Sequence, residues 1–156
     1  MLTGYPSSLT QQRLFSFMTG KKLGGVARIF GPDYYHMTVR GWQGVVYPLP
    51  EVVDWLREHK DWFHSVHCSP KGWEILGPKK ALCLILDCPG LQSIFSRLNK
   101  DWEKFGIPYY SWSSFKPHIS VAEGVSEVPE DLPLFVIEIA GFVLVNKSDD
   151  LFWSSQ

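Results

Sequence analysis

The sequence predicts an α+β fold, on two observations. Short runs of β-branched and aromatic residues are interspersed with amphipathic stretches of helical period, in the order helix, strand, helix, strands, helix, strand, strands. One strand pattern also occurs once in each half of the chain, as Tyr35-His36-Met37-Thr38-Val39 and as Lys116-Pro117-His118-Ile119-Ser120-Val121. Side chains alternate faces along a strand. His36 therefore shares a face with Thr38, and His118 with Ser120, while Met37 and Ile119 point into a core.

The elements follow in order. Residues 1–5 form a short strand or an arm, and Ser8 is placed to cap a helix over about 9–19. Gly20 to Gly25 is a basic loop, 26–30 an extra strand or part of a lid, and Gly31-Pro32-Asp33 a turn. The first motif strand covers 34–40, and a loop containing Trp42 leads to Pro50, which suits the first turn of a helix ending near Trp62. Its inner stripe is Leu49, Val52, Val53 and Leu56, closed by Lys60. Strands are expected over 63–68, 71–76 and 81–87, the last two joined through Gly77-Pro78-Lys79-Lys80. Pro89-Gly90 opens the clearest helix, with Leu91, Ile94, Phe95, Leu98, Trp102 and Phe105 on one stripe, and Gly106-Ile107-Pro108 ends it. The second motif strand covers 115–122. Strands over 134–139 and 142–146, broken at Ala140-Gly141, and a short one at 151–153 complete the chain.

A length of 156 residues suits one domain spanning 1–156. Net charge is −1, which argues against a protein that coats long nucleic acid through many phosphate contacts. It is compatible with a small ligand carrying a few phosphates. Aromatic residues are abundant at 15%, so some rings are candidates for stacking on flat ligands. No apolar run approaches the ~20 residues that span a bilayer. The three cysteines, Cys68, Cys83 and Cys88, form no C-x-x-C, and no secretory leader precedes them. They read as reduced thiols in a cytoplasmic protein. His64, His67 and Cys68 lack zinc spacing, so neither metal nor cofactor is expected.

The two motifs carry the chemistry. An imidazole titrates near 6.5, so near neutral pH one ring can take a proton while another gives one. Hydroxyls on the same face can donate to phosphate oxygens and stabilise charge gathering there. The catalytic candidates are His36, Thr38, His118 and Ser120. His67-Cys68-Ser69 also fits His-x-Ser but runs into Pro70, which places it at a strand end, and it reads as a decoy. Lys116 and Arg40 are candidates for phosphate contact. Tyr5, Trp73, Tyr110, Trp112 and Trp153 are candidates for stacking on bases, worth ~1–3 kcal/mol each.

These motifs, and Phe115-Lys116-Pro117-His118-Ile119-Ser120-Val121-Ala122 above all, resemble the two-histidine (2H) phosphoesterases of the LigT-like group. The resemblance implies two pseudo-symmetric α/β lobes with antiparallel sheets around a central cleft, and metal-independent cleavage of phosphodiesters. Within that family the chain is similar to phage anti-CBASS nucleases, which degrade cyclic di- and trinucleotide immune signals. Tyr34-Tyr35-His36-Met37-Thr38-Val39, Tyr5 and Trp153 carry this likeness. The implied partner is a cyclic oligonucleotide or a short phosphodiester. An RNA-end or 2′,3′-cyclic-nucleotide phosphodiesterase, and a module that sequesters nucleotides without cutting them, are the alternatives.

Overall fold

The computed structural model describes residues 1–41, 50–145 and 151–156. The elements are β1 (Leu2–Pro6), α1 (Ser8–Met18), β2 (Arg28–Ile29), β3 (Met37–Arg40), α2 (Pro50–Glu58), β4 (Val66–Leu76), β5 (Ala81–Asp87), α3 (Pro89–Glu103), β6 (His118–Glu123), β7 (Ile137–Val145) and β8 (Leu151–Ser154). Every strand pair is antiparallel, which with three helices gives the α+β class expected. The strand order is β2-β6-β5-β4-β7-β1-β3, with β8 added beside β7. Among the described residues no helix is long and apolar enough to cross a membrane.

β4 joins two halves. Its first residues, Val66 to Cys68, pair with β7, and the stretch from Ser69 to Leu76 pairs with β5. Two strands were expected here, ending and restarting around Pro70; the structure has one, which passes through Pro70. The register shifts between Pro70 and Gly72, where the chain has just changed partners. A proline has no N–H for a ladder, and at such an irregularity none is needed. The three-residue pairing with β7 is the hydrogen-bonded strand pairing that joins the half carrying His36 to the half carrying His118.

That switch also brings two cysteines together. Ser69 pairs with Asp87, so Cys68 and Cys88 are the next residues outward, and they form a disulfide with Cα atoms 4.5 Å apart. The expectation of reduced thiols is overturned for these two, because a sequence separation of 20 hides a cross-strand neighbour. Cys83 is free and buried.

The helices bury one stripe each. α1 places Thr10, Leu14 and Met18 inward, and its cap is Ser7 rather than Ser8: Thr10 N donates to Ser7 Oγ at 3.2 Å. α2 stops at Glu58 and continues as a short 3-10 helix over Lys60–Trp62. Its inner face is Val52, Trp55 and Leu56, with Lys60 exposed. Trp55 is buried against the edges of Trp62, Phe63 and Trp102, and its Nε1 donates to Asp101 at 2.9 Å. α3 carries the expected stripe from Leu91 to Trp102 and also buries Asn99, but it ends at Glu103, so Phe105 falls in the turn beyond it and is half-buried.

The buried apolar side chains form one cluster across both halves, from Leu2, Met37 and Phe142 to Leu84, Ile119 and Val121. At ~1.5–3 kcal/mol per buried side chain of Leu or Phe size, this cluster is the main force closing one half on the other. Tyr35 is fully buried, and burial pushes its phenol up to about 12. β7 runs unbroken through Ala140 and Gly141, and Leu134 before it is exposed rather than in a strand. Trp42, Leu49 and Asn146 lie outside the described residues.

Candidate active site

His36 immediately precedes β3, and His118 opens β6. The alternation read from the sequence holds at both. Met37 and Val39 are buried while His36 is exposed and Thr38 half-exposed; Ile119 and Val121 are fully buried while His118 and Ser120 are half-exposed. β3 and β6 are not neighbours in the strand order, yet they come into contact. The sheet therefore curls until the two motif strands meet.

The two histidines are held alike. His36 Nδ1 lies 2.8 Å from the carbonyl oxygen of Tyr34, and His118 Nδ1 lies 2.7 Å from that of Lys116. In each case the partner is the carbonyl two residues back, on the last residue of a 3-10 turn for Tyr34 and on an irregular segment for Lys116. A carbonyl only accepts, so Nδ1 carries the proton in both rings. That fixes the tautomer: Nε2 holds the lone pair when the ring is neutral and the transferable proton when it is charged. Each ring thus has one nitrogen for anchoring and one for chemistry.

The hydroxyls rest on sulfur. Thr38 Oγ1 donates to Met1 Sδ at 3.5 Å, and Ser120 Oγ lies 3.4 Å from Cys83 Sγ. The second contact follows from register, since Cys83 pairs with Ser120 and Ile85 with His118. Burial pushes the Cys83 thiol up; the Ser120 hydrogen bond pulls it down, and the charge of Glu74 raises it again. The net rise keeps Cys83 protonated near neutral pH.

The other candidates divide by face. Tyr5 is in place: its ring centroid is 6.3 Å from that of His36. Tyr5 pairs with Gly141, Thr3 with both Thr38 and Val143, and Val143 with Ser154, so these residues share the Thr38 face. A cavity of about 330 Å³ lies there, lined among others by Tyr5, Ser7, Gly141, Ser154 and Gln156. Trp153 is not a ligand-facing ring. It pairs with Leu144 on the opposite, core-facing side of β7, is 6% exposed, and packs on Phe63 at 5.3 Å. Trp73 is also displaced, because its register row is Leu84 and Ile119, on the face opposite His118. It stacks on Phe17 and donates Nε1 to the Asp131 carbonyl.

Trp112 packs edgewise against Phe95 at 5.5 Å and tilted against Phe115 at 5.4 Å. Tyr110 is exposed, but its hydroxyl donates to the Ser114 carbonyl at 2.8 Å and its ring lies under Arg40. Lys116 Nζ is paired with Glu74 at 2.6 Å. The pair is half-exposed, so solvent screens it and Lys116 can be redirected at small cost. Arg40 is the clearest departure from expectation. It is 9% exposed, and its donors go to Asn99 Oδ1 at 2.9 Å and to the carbonyls of Gly41 and Pro108. Burial lowers its pKa, and the charge of Tyr110 raises it. His67 lies on exposed β4 surface opposite Glu138, away from both motif strands. Among the described residues no cluster of His, Cys, Asp and Glu is placed to hold a metal ion.

Sequence reasoning missed the Tyr5 cavity, the Cys83 contact and the Arg40–Asn99 node. All three depend on which elements lie beside which, strand on strand for the first two and β3 on α3 for the last, and single-chain periodicity carries no signal for that.

No family model matches the chain, and no curated protein matches it. Among solved structures, the crystal structure of the MHV ns2 PDE domain aligns with 89% of this chain and 97% of its own, at 12% identity and a TM-score of 0.43.

Proposed function

We propose that the protein is a metal-independent phosphodiesterase that cleaves cyclic di- and trinucleotides by paired histidine acid–base catalysis. One observation carries the reading. Both imidazoles are anchored through Nδ1 to a carbonyl two residues back, so each presents Nε2 together with a hydroxyl from the same strand face. A module that only binds nucleotides has no need of two rings poised in the same tautomer.

In the step this supports, Nε2 of one histidine removes the proton from a ribose 2′-hydroxyl. That oxygen attacks the adjacent 3′-phosphorus, and the bond from phosphorus to the 5′-oxygen breaks. Nε2–H of the other histidine protonates the leaving 5′-oxygen, giving a 2′,3′-cyclic phosphate that water then opens. Thr38 and Ser120 donate to the non-bridging oxygens as charge builds on them. Tyr5 offers a ring for a base 6.3 Å from the His36 ring. The likeness of the motifs to phage anti-CBASS nucleases supports a role in viral evasion of cyclic-nucleotide immunity.

The experiment incubates the protein, with excess EDTA, with cyclic dinucleotides, cyclic trinucleotides and a 2′,3′-cyclic mononucleotide, and separates the products. Linear products from the cyclic oligonucleotides support the proposal. Turnover only of the mononucleotide moves the substrate class. Tight binding without any product replaces the enzyme by a sequestering module, and activity that needs a divalent ion refutes the metal-independent mechanism.

A further inference from the structure

The most heavily bonded polar group near the motif strands touches neither histidine. Arg40 ends β3, two residues beyond Thr38, and its guanidinium donates to Asn99 of α3, to Gly41 and to Pro108. Asn99 is 1% exposed. Its Oδ1 accepts from Arg40 Nε and from Tyr110 N at 3.2 Å, and its Nδ2 donates to the Phe95 carbonyl at 2.9 Å. One carboxamide therefore ties together β3, α3 and the segment between α3 and β6. The same segment is pinned to α3 by Phe115, stacked on Phe95 at 4.5 Å, and it ends in the Lys116 carbonyl that anchors His118.

Among the described residues, the acceptors of the guanidinium are all neutral oxygens. Burying a charge this way is a poor source of stability, since apolar residues of similar volume do as well or better. It is a good source of geometry, because the planar fork fixes several acceptors at set angles. We propose that Arg40 and Asn99 are positioning residues of the active site: they set the strand that carries Thr38 against the segment that anchors His118, and so align the two catalytic halves. The inference rests on the two-histidine reading of the site.

The test compares wild type, Asn99→Leu and the double variant Arg40→Met/Asn99→Leu. Asn99→Leu leaves a buried guanidinium short of an acceptor and lowers the unfolding temperature. The double variant removes charge and partner together and recovers part of the loss, because loss of both partners is far cheaper than loss of one, while Tyr110 N still lacks the acceptor that Asn99 gave it. If the pair only stabilises, activity returns with stability. If it positions, kcat for cyclic di-AMP stays down by ~10- to 100-fold in the refolded double variant, with KM changed much less, as a misplacement of about 1 Å produces.

A second readout needs no turnover. Inorganic phosphate is titrated while the imidazole signals of His36 and His118 are followed by NMR. In wild type both rings respond with one affinity, because one ion lies between them. In the double variant the two responses separate. A weaker but still common affinity would mean that Arg40 contributes charge and not alignment, and would overturn the proposal, as would wild-type kcat in the double variant. Wild-type protein that turns over no substrate while its rings still respond together, and separate in the double variant, refutes the phosphodiesterase reading and leaves the alignment standing.

Discussion

Replacing His118 by asparagine separates what its two ring nitrogens do. The Asn Nδ2 stands close to where the imidazole Nδ1 stood, so the 2.7 Å contact with the Lys116 carbonyl can persist. Nothing replaces Nε2. His118→Ala removes both. A hydrogen bond of this kind contributes ~0.5–1.5 kcal/mol, and at a half-exposed residue the lower part of that range applies. His118→Ala should therefore lose up to about 1 kcal/mol of stability, and His118→Asn close to none. Both should lose the same turnover, ~10²–10⁴-fold, because each removes one end of the proton relay. At ~1.36 kcal/mol per decade this is ~2.7–5.4 kcal/mol of barrier, several times the stability effect. His36→Asn and His36→Ala should repeat the pattern, since His36 is anchored the same way at 2.8 Å. The double alanine variant should lose far less than the product of the single losses. The assay is initial rates on cyclic di-AMP beside urea unfolding of the same preparations. An asparagine variant that keeps more than about a tenth of wild-type rate, or alanine and asparagine variants that differ in rate as they differ in stability, would refute the acid–base role of Nε2.

Trp153→Ala should act on the core: it should lower stability by ~3–5 kcal/mol, and any loss of nucleotide binding should track loss of fold in a urea titration. Tyr5→Ala should weaken nucleotide binding by ~1–3 kcal/mol in calorimetry, and unchanged affinity in the folded variant would remove Tyr5 from the base site. Burial raises the Asp101 carboxyl, but hydrogen bonds from Trp55 and Arg97 and the charges of Arg97 and Lys104 outweigh it and hold the group below the usual range. A depressed folded pKa contributes stability that is present above the unfolded value of ~3.9 and lost as pH falls through the folded one. The stability gap between wild type and Asp101→Asn should therefore shrink in that acid window, and a gap constant with pH would contradict this reading.

What was legible in the sequence was what depends on one strand or helix at a time. Met37 and Val39, and Ile119 and Val121, announce a buried face by period two, and that alone puts His36 with Thr38 and His118 with Ser120. The α3 stripe is legible for the same reason at helical period. Pairing is not local, and the failures gather there. Trp153 has an apolar body and a polar tip, so its composition fits a base stack as well as a core. Only its position opposite Leu144 decides for the core. Pro70 reads as a strand end until β4 is seen to change partners beside it. Ser7 and Ser8 are equally good caps on paper, and only the oxygen of Ser7 reaches Thr10 N. Arg40 looked like a phosphate ligand because strand alternation puts it with Thr38. The register shift between Leu2 and Thr3, where β1 pairs with β3, breaks that alternation at the end of β3.

The sulfur contacts give the site a property that neither motif has alone. A hydroxyl meant to stabilise a transition state must be held in place without being satisfied, because every strong bond it makes beforehand is a bond the substrate must displace. Thr38 and Ser120 each rest on sulfur, a thioether from Met1 just before β1 and a thiol from β5. Sulfur is a weak acceptor, so each hydroxyl has a preferred direction and little to lose by turning to a phosphate oxygen. The Cys83 thiol donates to the Ala81 carbonyl at 3.6 Å, which leaves its sulfur to accept from Ser120, whereas Met1 Sδ has no hydrogen and can only accept. The two halves are thus alike in their histidines and unlike in their hydroxyls: Ser120 rests on a thiol and Thr38 on a thioether.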